Sequence, residues 1–523
     1  MKDNGRRAGI VLPVFSLPSP QGIGTMGRGA FAFVDFLALA GQSYWQVLPL
    51  SPTGFGDSPY QSCCSRAGNP YFIDLELLEA DGLLLEEDYR FADYGQHPDL
   101  VDYGAIYRVR MGILRKAWQR GASALSKELD AFRAENADWL ADYALFMAVK
   151  AYFNMLPLKE WPDKGILRRE KVSLETYRTL LAKEIEFYEF VQMLFFRQWE
   201  SLKAYANGKG IGIIGDIPIY SAEDGVEVWA APSLFVLDED LVPVRVAGVP
   251  PDLYSSDGQL WGNPLYNWPV HKKDGFAWWI GRLRHAARLF DAIRIDHFRA
   301  YYNYWSVPRG APDASAESGG RWEPGPGMEF IDTLRKELPD VTLFAEDLGD
   351  LDESVIKFIR ETRMPGMSVA LYGFDPCGDS VYMSHNVGRE TVAYTSTHDS
   401  PTFVNWFHNE ATDDEREFAR EYMRLNVNEG VGWGAVKSVW GTHAWLSMAM
   451  LQDVLGLGAD SRINTPSTLG GRNWRWRIRQ EALNAHVAGM LRRVTDVYRR
   501  LPPVPEAQDE DVKADGEGAI SEV

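Results

Sequence analysis

The chain has 523 residues, of which 46% are apolar and 24% are charged, and its formal net charge is −19. A single hydrophobic core stops growing below this length, so we expect either several domains or one large barrel with insertions. The negative charge repels nucleic acid and anionic lipid, which argues against both as partners and favours a neutral substrate.

Three cysteines, Cys63, Cys64 and Cys377, give no disulfide framework. The apolar segment 8–14 is too short and too interrupted by proline for a signal peptide, and no stretch approaches the ~20 apolar residues of a membrane span. We therefore expect a cytoplasmic protein without a membrane partner, as a monomer or a weak homo-oligomer. Its 18 Trp residues fit either a large aromatic core or stacking on sugars.

Short apolar runs, each ending in a polar or Gly/Pro-rich turn, predict buried parallel strands. In chain order they are Gly9–Pro13, Trp45–Leu50, Ile211–Tyr220, Ala292–Asp296, Val341–Glu346, Met367–Leu371 and Val392–Ser396. Amphipathic helices are predicted over Phe31–Ala40, Lys183–Asn207 and Phe276–Phe290. This alternation predicts an α/β fold, a (β/α)8 TIM barrel of seven or eight units, with an open doubly wound sheet as the alternative.

The spacing of the strands predicts large insertions. About 160 residues separate the second and third strand candidates, whereas a bare βα unit needs only ~30. We expect a mainly helical insertion over about 52–183 and a polar, aromatic loop region over about 232–270. Both leave the C-terminal ends of strands, where barrel active sites are built. Residues 1–501 are thus predicted to form one catalytic barrel, followed by an acidic disordered tail over 502–523.

Acidic residues follow several of the predicted strands. Arg294 and Asp296 share one face of the fourth strand. A neighbouring guanidinium lowers the pKa of a carboxyl and keeps it ionised, as a glycosidic nucleophile requires, although a buried structural ion pair would have the same sequence. Glu346 ends the apolar run of the fifth strand, and burial there favours the neutral form that a general acid needs. Asp347 beside it, or Asp350, would suit a helix N-cap.

A third acidic segment is His398-Asp399, which by itself fits a metal site, a helix cap or a grip on sugar hydroxyls. Together with Asp216 in the third strand, these acids would converge on one cleft of a parallel barrel. Retaining glycoside chemistry uses two carboxyls ~5–5.5 Å apart. A divalent-metal site is the rival interpretation, but Arg294 would compete with the cation for Asp296. No metal-ligand spacing or cofactor motif occurs, so we expect neither a metal nor a cofactor.

With these residues the chain resembles the 4-α-glucanotransferases called amylomaltase or disproportionating enzyme, relatives of the α-amylases. The resemblance covers nearly the whole chain, from Arg7 to Arg477, and is carried most specifically by Trp45–Gly54, Ser58–Ser62 and Gly215–Tyr220. It implies no metal and no cofactor. It implies α-1,4-glucans and maltooligosaccharides as substrates, and transfer of glucan segments to the 4-hydroxyl of glucose or a maltooligosaccharide.

The resemblance also implies roles for individual residues. Asp296 is expected to be the nucleophile that forms a covalent glycosyl-enzyme, Glu346 the general acid/base, and Asp399 with His398 the pair that stabilises the transition state. Substrate contacts are expected from Tyr60 stacking beneath the sugar, from Asp216 and Arg294, and from a mobile loop over Pro250–Pro264 that covers the acceptor side; within that loop they are expected from Gln259, Trp261 and Asn263.

Two other functions fit the same residues. The first is a plain α-glucan hydrolase. The second is a glucan-binding scaffold on an inactive barrel, which would be expected to lack a catalytic carboxylate; none is missing here.

Overall fold

The computed structural model describes residues 5–251, 257–349, 351–426 and 428–503. Its strands are β1 (Arg7–Val11), β2 (Tyr44–Gln46), β3 (Gly212–Ile217), β4 (Arg245–Val249), β5 (Gln259–Pro264), β6 (Ala292–Ile295), β7 (Asn303–Pro308), β8 (Arg321–Pro324), β9 (Thr342–Ala345), β10 (Gly366–Val369), β11 (Thr391–Tyr394) and β12 (Leu446–Met450).

Eight of these strands form a parallel barrel. Their order is β10-β11-β12-β1-β2-β3-β6-β9, and every neighbouring pair in this order is parallel. The two ends of the sheet meet, because the Ala345 amide at the end of β9 donates to the Pro365 carbonyl just before β10 at 2.8 Å. The predicted (β/α)8 barrel is therefore confirmed, and the open doubly wound sheet is wrong.

The helices lie between the strands. They are α1 (Arg28–Leu39), α2 (Leu75–Ala80), α3 (Tyr103–Gly121), α4 (Ser126–Glu135), α5 (Leu140–Tyr152), α6 (Lys164–Leu167), α7 (Lys171–Leu180), α8 (Ala182–Gly208), α9 (Val226–Ala230), α10 (Trp268–Lys273), α11 (Ala277–Leu289), α12 (Gly327–Glu337), α13 (Glu353–Thr362), α14 (Phe403–Asn405), α15 (Asp413–Tyr422), α16 (Gly430–Trp440), α17 (Leu451–Val454) and α18 (Ala485–Val497).

The connection between β2 and β3 is helical, with α2 to α7 preceding the crossover helix α8. Side-chain caps begin three of these helices: Asp74 accepts from the Leu77 amide, Asp102 from Ala105, and Asp163 from Gly165 and Ile166. Such caps satisfy amide donors that a helix leaves unpaired at its first turn. One hydrophobic core joins this helical region to the barrel, and within it Trp45, Trp161, Trp199, Trp229, Trp279 and Trp440 are fully buried.

A second, antiparallel sheet has the order β5-β4-β7-β8. Its strands come from the segments after β3 and after β6, and it encloses a small apolar cluster of Val246, Trp305, Val307 and Ala314. Strands β4 and β5 lie within the region over about 232–270 for which the sequence predicted a glucan-covering loop region. Residues 252–256 of the predicted mobile loop lie outside the described residues, as do Asp350, one of the two candidate N-caps, and residues 504–523 of the predicted tail.

The seven predicted strands all correspond to barrel strands, with ends displaced by a few residues. The eighth, β12, was missed, since Leu446-Ser-Met-Ala-Met450 has few residues that favour strands and runs straight into α17. In the described part of the chain, none of the helices combines the length and the apolar character needed to cross a membrane.

Candidate active site

Arg294 lies at the centre of the acidic cluster at the C-terminal end of the barrel. It is fully enclosed, and its Nη1 donates to Asp216 Oδ1 at 2.8 Å and Oδ2 at 2.7 Å, and to Asp296 Oδ1 at 2.9 Å. The registry of β3 with β6 pairs Asp216 with Arg294 directly, which fixes this contact. Arg294 is thus ion-paired with Asp296, as considered from the sequence, and also with Asp216, whose carboxylate is 0% exposed.

Asp296 follows β6 and is held by its backbone amide, which donates to the Ile217 carbonyl of β3 at 3.1 Å. Unlike Asp216, its side chain remains 23% exposed and open to the barrel mouth. Burial raises the pKa of Asp296 to about 7, against the lowering effect of Arg294 and with the help of Asp216, Glu346 and Asp399. The sequence predicted a net lowering by Arg294, which was wrong because burial and three neighbouring carboxyls outweigh one guanidinium.

Glu346 follows β9 and lies against the turn that carries Asp296. Its Oε2 accepts from the His297 amide at 2.8 Å and its Oε1 from the Leu348 amide at 2.9 Å. Burial raises the pKa of Glu346, as expected from the sequence, although Arg294 and the two amides oppose the rise. Because His297 is the residue after Asp296, this contact brings the two acids to the same side of the barrel mouth.

His297 had no predicted role, yet its backbone amide makes this arrangement by donating to Glu346. Its φ of 47° is left-handed, which few residues other than glycine adopt. Burial lowers the pKa of His297 to about 4, so the imidazole is neutral. The only sequence signal was a bulky polar residue directly after a strand-ending acid.

Asp347 was considered as a helix N-cap, and this is wrong. Its Oδ1 accepts from the Met367 amide at 2.7 Å and so joins the end of β9 to β10. The cap of α13 is Asp352, which accepts from the Ser354 and Val355 amides. Burial raises the pKa of Asp347 to about 7.

Tyr60 joins the two sides of the barrel mouth. Its hydroxyl donates to Asp216 Oδ2 at 2.8 Å, and it lies 2.9 Å from His398 Nε2. The Tyr60 and His398 rings are stacked, with centroids 5.4 Å apart, and Trp474 packs beside Tyr60 at 5.7 Å. The loops after β2 and after β11 therefore meet at Asp216, with the Tyr60 and His398 rings in contact.

Asp399 stands beside His398 and faces outward. Its Oδ2 is 3.2 Å from His398 Nε2, and its Oδ1 accepts from Asn464 Nδ2 at 2.6 Å. Burial acts to raise the pKa of Asp399, but His398 and Asn464 outweigh it and hold the pKa well below the usual range. Asn464 was not predicted, because it lies in an irregular segment beyond β12 that carries no motif.

Asp453 anchors the loop that carries His398 and Asp399. Its carboxylate accepts from Thr395 Oγ1 at 2.6 Å, Ser396 Oγ at 2.5 Å and the Phe403 amide at 2.7 Å. These bonds fix both ends of the loop that carries His398 and Asp399, so the loop is anchored although it is irregular.

The remaining predicted substrate residues lie on β5. Trp261 packs edge-on against His297 with ring centroids 4.9 Å apart, and its indole N–H donates to Gln259 Oε1 at 3.0 Å. Asn263 is buried and donates to the Ser221 carbonyl at 2.9 Å, while Gln61 donates to Asn263 Oδ1 at 2.9 Å. The structure thus brings Gln259 and Trp261 to the cleft, whereas Asn263 faces protein groups and links β5 to the Tyr60 loop.

No group of three or more His, Cys, Asp or Glu side chains is arranged to hold a metal ion within the described ranges. Arg294 already fills the space between Asp216 and Asp296 where a shared cation would bind. Paired carboxyls with raised pKa values at the C-terminal mouth of a (β/α)8 barrel, flanked by aromatic rings, define an enzyme of the class that acts on glycosidic bonds.

Comparison with known proteins makes this class more specific. The family model described as 4-alpha-glucanotransferase matches residues 12–483. The chain is 42% identical over 488 residues to the 4-alpha-glucanotransferase of Clostridium butyricum, covering 93% of this chain and 99% of that protein. It is 37% identical over 509 residues to the chloroplastic/amyloplastic enzyme of Solanum tuberosum, covering 95% and 87%. The chain belongs to the 4-α-glucanotransferase family, and the predicted enzyme and its activity are confirmed.

A solved structure agrees over the same length. Amylomaltase from Streptococcus agalactiae, in complex with acarbose, has a TM-score of 0.92 and 42% identity, covering 95% of this chain and 100% of that one. The amylomaltase of Corynebacterium glutamicum, 19% identical with a TM-score of 0.75, shares the fold. Transfer between α-glucans is therefore the activity that the residues of the barrel mouth have to explain.

Proposed function

We propose that this chain transfers α-1,4-glucan segments by a retaining double displacement in which Asp296 is the nucleophile and Glu346 the general acid/base. The observation that carries the proposal is the bond from the His297 amide to Glu346 Oε2, which holds one carboxyl against the turn that carries the other. Retention requires such closeness, since no water has to fit between the two groups.

The charges of the pair are assigned by their neighbours. Burial raises the pKa of both acids, so the pair readily holds one proton. Because Asp296 is the acid that accepts a hydrogen bond from Arg294, we assign the negative charge to Asp296 and the proton to Glu346. In the first step an Asp296 oxygen bonds to the anomeric carbon, the glycosidic bond breaks, and Glu346 gives its proton to the leaving oxygen. In the second step the 4-hydroxyl of an acceptor bonds to the anomeric carbon, the bond to Asp296 breaks, and Glu346 takes the hydroxyl proton.

The other predicted residues support this chemistry through charge and shape. Asp399, held ionised by His398 and Asn464, faces the positive charge that develops on the sugar ring. Tyr60 supplies the aromatic surface beneath that ring, and Asp216 fixes Tyr60 and Arg294. Asn263 acts indirectly, by fixing the strand that carries Gln259 and Trp261.

Transfer in place of hydrolysis requires that water be kept from the glycosyl-enzyme. Trp261 packs on His297, one residue from the nucleophile, and Gln259 fixes its indole. We assign to this pair the exclusion of water until an acceptor sugar arrives. The cytoplasmic location and the monomeric or weakly oligomeric state remain predictions from the sequence.

The function is tested with maltotriose as the only substrate. The wild-type enzyme is expected to give glucose together with products longer than maltotriose, whereas a hydrolase gives only shorter ones. Asp296→Asn removes the nucleophile and is expected to lower kcat by at least about 10³-fold, while acarbose binding by calorimetry is kept. An unchanged rate would remove Asp296 from its role, and an inactive wild-type chain that still binds glucan would favour the scaffold.

A further inference from the structure

Trp322 presents a large aromatic surface on the edge strand β8 of the antiparallel sheet. It is 39% exposed, whereas the indoles of the barrel core are fully buried. The neighbouring strand holds its position, because Trp305 packs against it edge-to-face with ring centroids 5.1 Å apart and an interplanar angle of 70°. The exposed indole is therefore fixed in one orientation by its packing.

Arg299 covers one face of this indole. Its guanidinium carbon lies 3.9 Å from the centre of the Trp322 ring, a close cation–π contact. Arg299 is itself fixed, since its Nε donates to Asn303 Oδ1 at 3.0 Å and its Nη2 lies 3.4 Å from Asp352 Oδ2. Arg299 and Trp305 thus hold the indole from two contacts, and 39% of the Trp322 residue remains exposed beside them.

The position of Trp322 relates it to the candidate active site. Arg299 lies three residues beyond Asp296 on the turn that leaves β6, and Asp352 lies on the loop that leaves β9 after Glu346. The two edges of the small sheet thus contact the same turn: Trp261 on β5 contacts His297, and Trp322 on β8 contacts Arg299. Three strand spacings separate β5 from β8, or about 14 Å at ~4.8 Å each.

We propose that Trp322 is an aromatic platform for the α-glucan chain at a distance of several sugars from the reacting bond. A planar, partly exposed indole is suited to the apolar face of a neutral sugar ring. The charges around it are already compensated, since Arg321 Nη2 lies 3.0 Å from Glu323 and Arg299 pairs with Asp352. The surrounding ion pairs therefore favour a neutral occupant, and the contact of Trp322 with the turn that follows Asp296 makes the glucan that occupant. This inference rests on the proposed function.

The platform is tested by comparing substrates of different length. Trp322→Ala is expected to lower kcat/KM for maltoheptaose by about two- to tenfold through KM, and to leave the value for maltotriose unchanged, since a short chain does not reach the platform. Trp322→Phe keeps an aromatic face and is expected to recover most of the loss. Tyr152→Ala serves as the control, because it removes an exposed aromatic ring from the end of α5 in the helical region.

Two results would overturn the proposal. An equal loss for maltotriose and maltoheptaose would mean that Trp322 acts only on the structure of the site, and no loss for either substrate would mean that glucan does not use this surface. Both results are separate from a failure of the proposed function, which would appear as a wild-type enzyme that does not lengthen maltotriose.

Discussion

Asp216 acts on the charge of Asp296, the proposed nucleophile. Its buried carboxylate raises the pKa of Asp296 and also takes up part of the positive charge of Arg294. In Asp216→Asn the negative charge is gone and Arg294 acts more strongly on Asp296, so both changes lower the pKa of Asp296. A carboxyl with a lower pKa remains ionised to lower pH.

We therefore predict that Asp216→Asn moves the acid limb of the kcat/KM pH profile to lower pH by about 1 unit. The limb is expected to mark protonation of Asp296, the proposed nucleophile, in the free enzyme, so a pH profile of maltotriose turnover measures it. Asp138→Asn removes the same charge from an exposed side chain of the helical region and should leave the limb in place. A limb that moves to higher pH, or not at all, would contradict this account of Asp216.

The sequence predicted the acids of the site better than the groups that position them. Asp216, Asp296, Glu346 and Asp399 end or follow apolar strands, and a parallel barrel brings strand ends together whatever the rest of the chain does. His297 and Asn464 were missed because their contributions are a left-handed backbone and a contact from a distant irregular segment. Neither leaves a pattern in the local sequence.

Among the elements, the short helix α9 positions the loop that carries Tyr60. Glu227 on α9 accepts from the Ser65 amide at 2.6 Å and from Ser65 Oγ at 2.7 Å, and the Val226 amide donates to the Cys63 carbonyl at 2.8 Å. Because α9 follows β3 closely, these bonds tie the loop after β2 to the strand that carries Asp216. Glu227 is thus a positioning residue for the Tyr60 hydroxyl.

We predict that Glu227→Ala lowers kcat/KM by about ten- to a hundredfold, with most of the loss in kcat, because small displacements of a catalytic group are costly. Glu227→Gln keeps an acceptor oxygen for Ser65 and should remain within about threefold of wild type. Glu223→Ala lies just before the same helix, removes a pair with Arg309, and serves as the control. If Glu227→Ala has the same stability to unfolding as wild type, its loss of activity does not come from a loss of stability. Equal losses of kcat/KM in Glu227→Ala and Glu227→Gln would refute the positioning role.

Strands and helices with a clear local sequence pattern were predicted. Strands that form only by pairing with distant segments of the chain were not. Apolar runs in the sequence predicted seven of the barrel strands, and apolar residues at helical spacing predicted the helices α1, α8 and α11. The sheet of β4, β5, β7 and β8 joins segments from either side of β6, and its edge strands β5 and β8 are partly exposed. Such strands have a weak hydrophobic pattern, so the sequence favours a loop.

At the scale of the whole molecule, the two faces of the barrel have separate tasks. The site lies at the C-terminal ends of the strands, and the opposite face holds the first and last strands together. There Arg500, which is fully buried, donates to the carbonyls of Trp440, Thr442, Ala444 and Arg7 at 2.9 to 3.0 Å. One side chain from beyond α18 thus joins the start of β1 to the segment that enters β12.

We predict that Arg500→Ala destabilises the protein by about 3–5 kcal/mol, because a buried guanidinium that donates to four carbonyls is lost. Arg6 also donates to two of these carbonyls, those of Trp440 and Thr442. The midpoint of urea unfolding should fall accordingly, while kcat/KM at 25 °C stays at the wild-type value, since the site lies at the other end of the strands. Arg499→Ala removes the exposed neighbour, which pairs with Asp496, and should change the midpoint little. A loss of activity in folded Arg500→Ala would contradict the separation of the two faces, because it would show that the contacts of Arg500 affect the active site. An unchanged midpoint would show that water replaces the guanidinium without loss of stability.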